Sequence, residues 1–217
     1  MPLSEPLAID VVSDVVCPWC YVGKKRLEAA LKLVPEIKTE VRWRPYQLDP
    51  TIPAEGIPRR AYMEKKFGSL EAIKPAHERL TALGQELGIP FNFSAIGISP
   101  NTLDAHRMIR WAFGGRQDAM VEALFRAFFV DAKNLADPIV LTEIGASAGF
   151  PREALTALLQ SDEDAASVRE EIAAAQNIGI QGVPFFIFGQ KYAVSGAETA
   201  EHLASAIRQA AAAEPAT

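Results

Sequence analysis

Leu7-Ala8-Ile9-Asp10-Val11-Val12-Ser13-Asp14-Val15-Val16-Cys17-Pro18-Trp19-Cys20 is the stretch on which the reading of this chain turns. Residues 7–13 are apolar and β-branched and alternate poorly, which predicts a buried strand. Cys17 and Cys20 are the only cysteines in 217 residues. A helical pattern follows them, Lys24-Lys25-Arg26-Leu27-Glu28-Ala29-Ala30-Leu31. Pro18 fits its first turn, where a missing N–H costs nothing, and Pro35 ends it after about Leu33. A Cys-x-x-Cys pair between strand and helix is the arrangement of thiol–disulfide chemistry. Glu40-Val41-Arg42-Trp43-Arg44-Pro45-Tyr46 alternates and predicts a second strand. Together these segments make a βαβ unit with parallel strands.

The middle of the chain reads differently. After a loop rich in proline and glycine (49–58), helices are expected over 59–67, 69–87 with Pro75 as a break, 101–113 capped by Asn101, 116–130, 137–149, from Pro151, and 162–177. Residues 91–100 read as irregular chain. The apolar stripe Met120, Val121, Leu124, Phe125, Phe128, Phe129 has helical spacing and reads as core, with a dimer face as the other use. Strand character returns at 183–188 and 192–194, joined by a turn at Gly189-Gln190, before an Ala-rich helix to about 213 and a frayed end. The order is that of an α/β thioredoxin-like fold with a helical domain inserted between its βαβ and ββα halves. The expected division is 1–56 and 161–217 for the thioredoxin-like domain and 57–160 for the insertion.

Composition narrows the function. Hydrophobic residues are 49%, charged residues 23%, and net charge is −5. A nucleic-acid binder shows a basic face; here the basic clusters are short, Lys24-Lys25-Arg26 and Lys65-Lys66 among them, and are read as solvated helix faces. No run approaches the roughly 18 apolar residues of a membrane span, and no secretory signal pattern is visible at the start. A cytoplasmic address is the expectation, and there a lone cysteine pair is catalytic or metal-binding rather than a staple. A zinc site needs four ligands. The three histidines, His77, His106 and His202, form no close pair in sequence, so no metal is expected.

The chemistry of the pair is asymmetric. Cys17, at a helix N-terminus, faces unsatisfied N–H groups and the positive end of the helix dipole, which favour its thiolate. Cys20, one turn deeper, is expected to be more buried, with a near-normal pKa. Cys17 then attacks a disulfide and Cys20 resolves the mixed disulfide. Pro18 stiffens the turn. Trp19 reads either as a cap over the fold or as an apolar lip that meets substrate. Pro184 opens a strand, where proline is excluded from a central ladder, so a cis Val183–Pro184 bond is expected. In this fold that loop faces the cysteines and leaves the backbone of Val183 for an extended substrate. Asp14 reads either as a cap of the Cys helix or as acceptor of the Cys20 proton; Asp10 is the other carboxylate nearby.

Ser13-Asp14-x-x-Cys17-Pro18-Trp19-Cys20-x-x-Gly23, Trp43-Arg44-Pro45-Tyr46, Asn101-Thr102-x-x-Ala105-His106-Arg107, Gly182-Val183-Pro184-Phe185-Phe186 and Ser195-Gly196-Ala197 together resemble the DsbA family of thiol–disulfide oxidoreductases. The FrnE-like branch, near the 2-hydroxychromene-2-carboxylate isomerases and kappa-class glutathione transferases, is the nearest likeness. The resemblance spans nearly the whole chain. It implies a protein-disulfide oxidoreductase without a bound cofactor, glutathione being a possible co-substrate. Partners would be thiol- or disulfide-bearing polypeptides or small molecules, with no nucleic acid or membrane, and the chain a monomer or homodimer. The periplasmic DsbA proteins carry histidine where Trp19 stands, so a less oxidising couple is implied. His106 falls in a family motif and is a candidate for lining the cleft between the domains. One rival reading is a glutathione-dependent isomerase or transferase acting on a small aromatic or polyketide-like compound. Such relatives generally have serine in place of Cys17. A second rival is a non-catalytic redox sensor, for which no effector domain is visible. The second cysteine pair of some FrnE-like proteins is absent.

Overall fold

The computed structural model describes residues 5–213; the chain end at 214–217 and the first four residues, which bore on leader and fraying, lie outside it. Strand β1 (Leu7–Ser13) leads through Cys17 into α1 (Pro18–Lys32), and β2 (Thr39–Pro45) follows. The chain then runs through β3 (Ile57–Pro58), α2 (Arg59–Phe67), α3 (Leu70–Leu87), a 3-10 turn at Phe93–Ala95, β4 (Ile98–Ser99), α4 (Leu103–Trp111), α5 (Gln117–Phe129), α6 (Pro138–Ser147) and α7 (Arg152–Leu159). It returns through α8 (Ala165–Asn177), β5 (Phe185–Phe188), β6 (Tyr192–Ser195) and α9 (Ala200–Ala212).

The main sheet has the order β2-β1-β5-β6. β2 is parallel to β1, with Val11 opposite Trp43; β5 is antiparallel, with Val11 opposite Phe186. Alternation puts Ile9 and Val11 on the face packed with α1 and α9, and Val12 on the face with Ala175 of α8. This is a thioredoxin-like α/β fold carrying a helical insertion. The inserted helices share the main core. Tyr21 of α1 stacks on Phe125 of α5 with centroids 4.9 Å apart, and Met120, Leu124, Phe125, Phe128 and Phe129 are all fully buried. The stripe on α5 is therefore internal and offers no dimer face.

Several local expectations change. Pro75 does not break α3: it removes only the bond to the Glu71 carbonyl, in an exposed first turn where water can replace it. Residues 91–100 are not wholly irregular, because Ile98 and Ser99 pair with Pro58 and Ile57. α4 stops at Trp111, short of Phe113. α8 starts at Ala165 rather than 162, because Asp164 sits in the left-handed region at φ 61° and ends the preceding turn. The β5 ladder starts at Phe185, after the proline.

The basic run 24–26 is not a solvated face. Lys24 is 2% exposed and is held by Glu28, by Asp118 at 3.1 Å and by Glu122 at 3.0 Å. The last two carboxylates come from α5, whose packing on α1 draws the lysine inside. Lys65 and Lys66 do remain exposed.

Candidate active site

Cys17 is the N-cap residue of α1, with extended backbone (φ −92°, ψ 112°), and Pro18 is the first helical residue. The Cys17 N–H donates to Asp14 O and the Cys20 N–H to Cys17 O, both at 3.0 Å. These bonds close two successive turns, 14–17 and 17–20. Both thiols are free, and both residues are buried, Cys17 at 5% and Cys20 at 1% exposure. The Val183–Pro184 bond is cis, and the Cys17 thiol donates to the Val183 carbonyl at 3.5 Å. Residues 166 positions apart thus share one contact.

Gly23 permits this approach. A Cβ placed there would lie 2.9 Å from Pro184 Cγ and 3.2 Å from Phe186 Cζ. Gly23→Ala should cost about 1–3 kcal/mol of stability through overpacking. A parallel fall in the alkylation rate of Cys17 or a rise above it would report the shifted loop; urea unfolding measures the stability.

Cys20 departs from the near-normal behaviour expected. Burial pushes its thiol well up, aided by the hydrogen bond and charge of Cys17, while the Asp14 backbone N–H and the Ser13 hydroxyl oppose the rise. Desolvation wins because the sulfur sits one helical turn inside the protein. Ser13, at the end of β1, is therefore part of the site. In the sequence it was visible only as the first residue of the Ser13-Asp14-x-x-Cys17 motif, with no role attached to it.

Asp14 does not cap α1. Its Oδ2 accepts the Leu48 N–H at 2.8 Å, and α1 has no side-chain cap at all. His106 Nε2 lies 2.8 Å from Tyr46 O and 3.4 Å from Asp14 Oδ1. A carbonyl can only accept, so Nε2 carries a proton committed to Tyr46, leaving Asp14 Oδ1 without a hydrogen bond of its own. Asp14 and His106, both nearly inaccessible, thus tie the end of β1 and the residues after β2 to the insertion. Asp10 points elsewhere, to Arg44 at 2.7 Å.

Pro18 and Trp19 are half-buried. Trp19 packs against the core, and Arg79 of α3 stands 5.6 Å from its ring centroid. The ring is thus part cap and part rim beside Cys17. The other motif residues brace the frame. Arg107 donates to the carbonyls of Glu163, Leu158 and Ser161 at 2.6–2.8 Å and so pins the chain between α7 and α8. Asn101 Oδ1 accepts from Leu103 N and from Gln47 Nε2.

Gln117 was not visible as a site-builder. Its Oε1 accepts the Trp43 N–H at 3.0 Å, closing the edge of β2. Beside it a cavity of about 440 Å³ lies between β2, α4, α5 and α8, lined by Ser13, Trp43, His106 and Gln117 among others. Among the described residues no group of three His, Cys, Asp or Glu side chains is placed to hold a metal ion, and no helix is long and apolar enough to cross a membrane.

Residues 8–208 match the family model described as DSBA-like thioredoxin domain. The chain belongs to the DSBA-like thioredoxin domain family. This DsbA-like chain is 32% identical to a probable DsbA oxidoreductase from Streptomyces coelicolor, covering 97% of this chain and 93% of that one, with a TM-score of 0.89. It is 27% identical over 183 residues to the uncharacterized protein YwbO of Bacillus subtilis, covering 83% of this chain and 86% of that protein. It shares its fold with the cytosolic disulfide reductase DsbM from Pseudomonas aeruginosa, solved with glutathione, at 18% identity and a TM-score of 0.64 over 94% and 96% of the two chains.

Proposed function

We propose that this DsbA-like chain is a dithiol–disulfide oxidoreductase in which Cys17 attacks and Cys20 resolves. The observation that carries the reading is the contact of the Cys17 thiol, at the head of α1, with the Val183 carbonyl beside the cis proline. The Cys17 thiolate attacks one sulfur of a substrate disulfide, forming a mixed disulfide and expelling the other sulfur as thiolate. Cys20 loses its proton and attacks the Cys17 sulfur, releasing the second substrate thiolate. Two electrons pass to the substrate, and the protein is left as a disulfide. Two glutathione molecules return it to the dithiol, leaving glutathione disulfide. Ionised Cys17 no longer donates to Val183 O, which frees that carbonyl for an N–H of an extended polypeptide or small peptide disulfide.

The place of action proposed is the cytosol, as for the disulfide reductase sharing the fold. A couple near about −180 mV against a poise near about −260 mV would favour the dithiol by almost 4 kcal/mol. That direction makes the protein a net reductant.

Ser13→Ala should slow resolution. Losing the hydrogen bond that stabilises the attacking Cys20 thiolate, worth about 1–1.5 kcal/mol, corresponds to roughly a five- to tenfold fall in the population of the reactive anion and so in the rate. Quenched-flow measurement of mixed-disulfide decay reads it, with Cys17 alkylation as the unchanged control. For the function itself, insulin reduction driven by glutathione is the assay. Turnover by the wild type supports the proposal. An inert wild type that catalyses a glutathione-dependent isomerisation would replace it with the isomerase reading.

A further inference from the structure

A second cavity, of about 840 Å³, lies within the insertion between α2, α3 and the turn at 93–95. None of its lining residues belongs to the Cys17–Cys20 turn or the Val183–Pro184 loop. Arg59, the first residue of α2, lines it. Its backbone is fixed by a bond from its N–H to Gly97 O at 2.9 Å and by the neighbouring pairing of β3 with β4. Its guanidinium stands 5.6 Å from the Phe128 ring centroid. Among the described residues it has no carboxylate partner and no side-chain hydrogen bond. Arg59 is half-buried, and a ring face contributes about 0.5–1 kcal/mol to a cation at most sites, so among the described residues its guanidinium fork is free of any protein acceptor and open to an incoming anion. Burial pushes this guanidinium down, and only Tyr62 opposes that.

The other charges around the cavity are already engaged or exposed: Arg60 pairs with Glu64, Lys74 with Glu78, and Glu71 faces water. The walls are flat and apolar. His77 stacks on Phe93 with centroids 4.3 Å apart and planes 5° apart, and Phe93 stacks on Phe91 at 4.9 Å. Ile73 and Ile96 complete the floor.

We infer that this cavity binds a small amphipathic organic anion, its carboxylate or phosphate paired with Arg59 and its apolar body laid against Ile73, Ile96 and the His77–Phe93 stack. A guanidinium fork fits both headgroups, and the volume is that of a small-ligand site. α3 lies between this site and the cysteine turn: His77 faces the cavity, while Arg79 reaches Trp19. The inference does not depend on the direction of thiol exchange.

The test is fluorescence titration of the full chain with anilinonaphthalene sulfonate, followed by displacement with octanoate, octyl phosphate and uncharged octanol. One saturable site is expected in the wild type. Arg59→Gln should weaken it about tenfold, equivalent to about 1.4 kcal/mol. Ala82→Phe, which adds a ring at the cavity lining while leaving the Arg59 side chain in place, should also weaken it. Both variants should keep wild-type circular dichroism and Cys17 alkylation. Octanoate displacing more strongly than octyl phosphate assigns a carboxylate ligand, and the reverse a phosphate. Unchanged binding in Arg59→Gln, octanol as potent as octanoate, or no saturable binding at millimolar probe would each overturn the inference.

Discussion

Cys17→Ser is expected to reduce disulfide turnover by at least about 10³-fold, the scale of losing the nucleophile in a covalent mechanism. The fold should survive, because a serine hydroxyl can still donate to Val183 O across the contact now made by sulfur. Cys20→Ser should behave differently. It keeps the attacking thiol and loses the resolving one, so one equivalent of substrate thiolate is released and turnover then stops. The same asymmetry predicts a pH effect in the wild type. Cys20 sits in a buried pocket that pushes its thiol well above the ordinary range, so resolution should accelerate as pH rises through and beyond the usual thiol range. Stopped-flow release of a chromogenic thiol from an aryl disulfide separates the two steps. Equal losses in the two variants, with no burst from Cys20→Ser, would contradict the division of roles.

Lys24→Met should lower stability markedly although it leaves the cysteines and the apolar core untouched. Removing one partner of a buried ion pair costs about 3–5 kcal/mol. Here the three carboxylates are 33–57% exposed and can turn to water, so about 2–3 kcal/mol is the expected loss. Burial pulls Lys24 down, but Asp118, Glu28 and Glu122 outweigh it and hold it above its ordinary range. That stabilisation is fully present below the unfolded lysine value, about 10.4, and is lost as pH rises through the raised folded value. Glu122 has the opposite sign. Burial pushes it up, yet Lys24, Lys25 and Tyr21 hold it below the usual carboxylate range. Its contribution is present above the unfolded value, about 4.3, and is lost as pH falls through the lowered folded value. Urea unfolding as a function of pH should therefore show a flatter acid limb in Lys24→Met than in wild type. Parallel acid limbs would mean that Lys24 does not govern Glu122.

Those two sites also mark what was legible in the sequence. The cysteine turn could be read because its meaning is local: strand, proline at the first helical position, and two thiols one turn apart. Pro184 could be read because proline after Gly182-Val183 at a strand start has few conformational solutions. The core role of the stripe on α5 followed from its period. Lys24 could not be read as buried, since Glu28 is its only local partner and the carboxylates that enclose it, Asp118 and Glu122, come from α5, Asp118 lying 94 residues away, while a basic run by itself looks solvated. Gln117 was hidden for the same reason, closing a strand edge 74 residues distant. Asp14 was misread because aspartate before a helix usually caps it, whereas here the chain turns its carboxylate toward Leu48. The short pairing of β3 with β4 gave no signal because two residues carry no period.

The most direct measurement is mass-spectrometric mapping of the Cys20→Ser protein after exposure to glutathione disulfide. One glutathione adduct per chain is expected on Cys17, stable until a second thiol is added, whereas the Cys17→Ser protein, left with Cys20 alone, should stay largely unmodified over the same time. A Cys20→Ser chain that stays unmodified while its fold is intact would contradict the assignment of Cys17 as the attacking thiol.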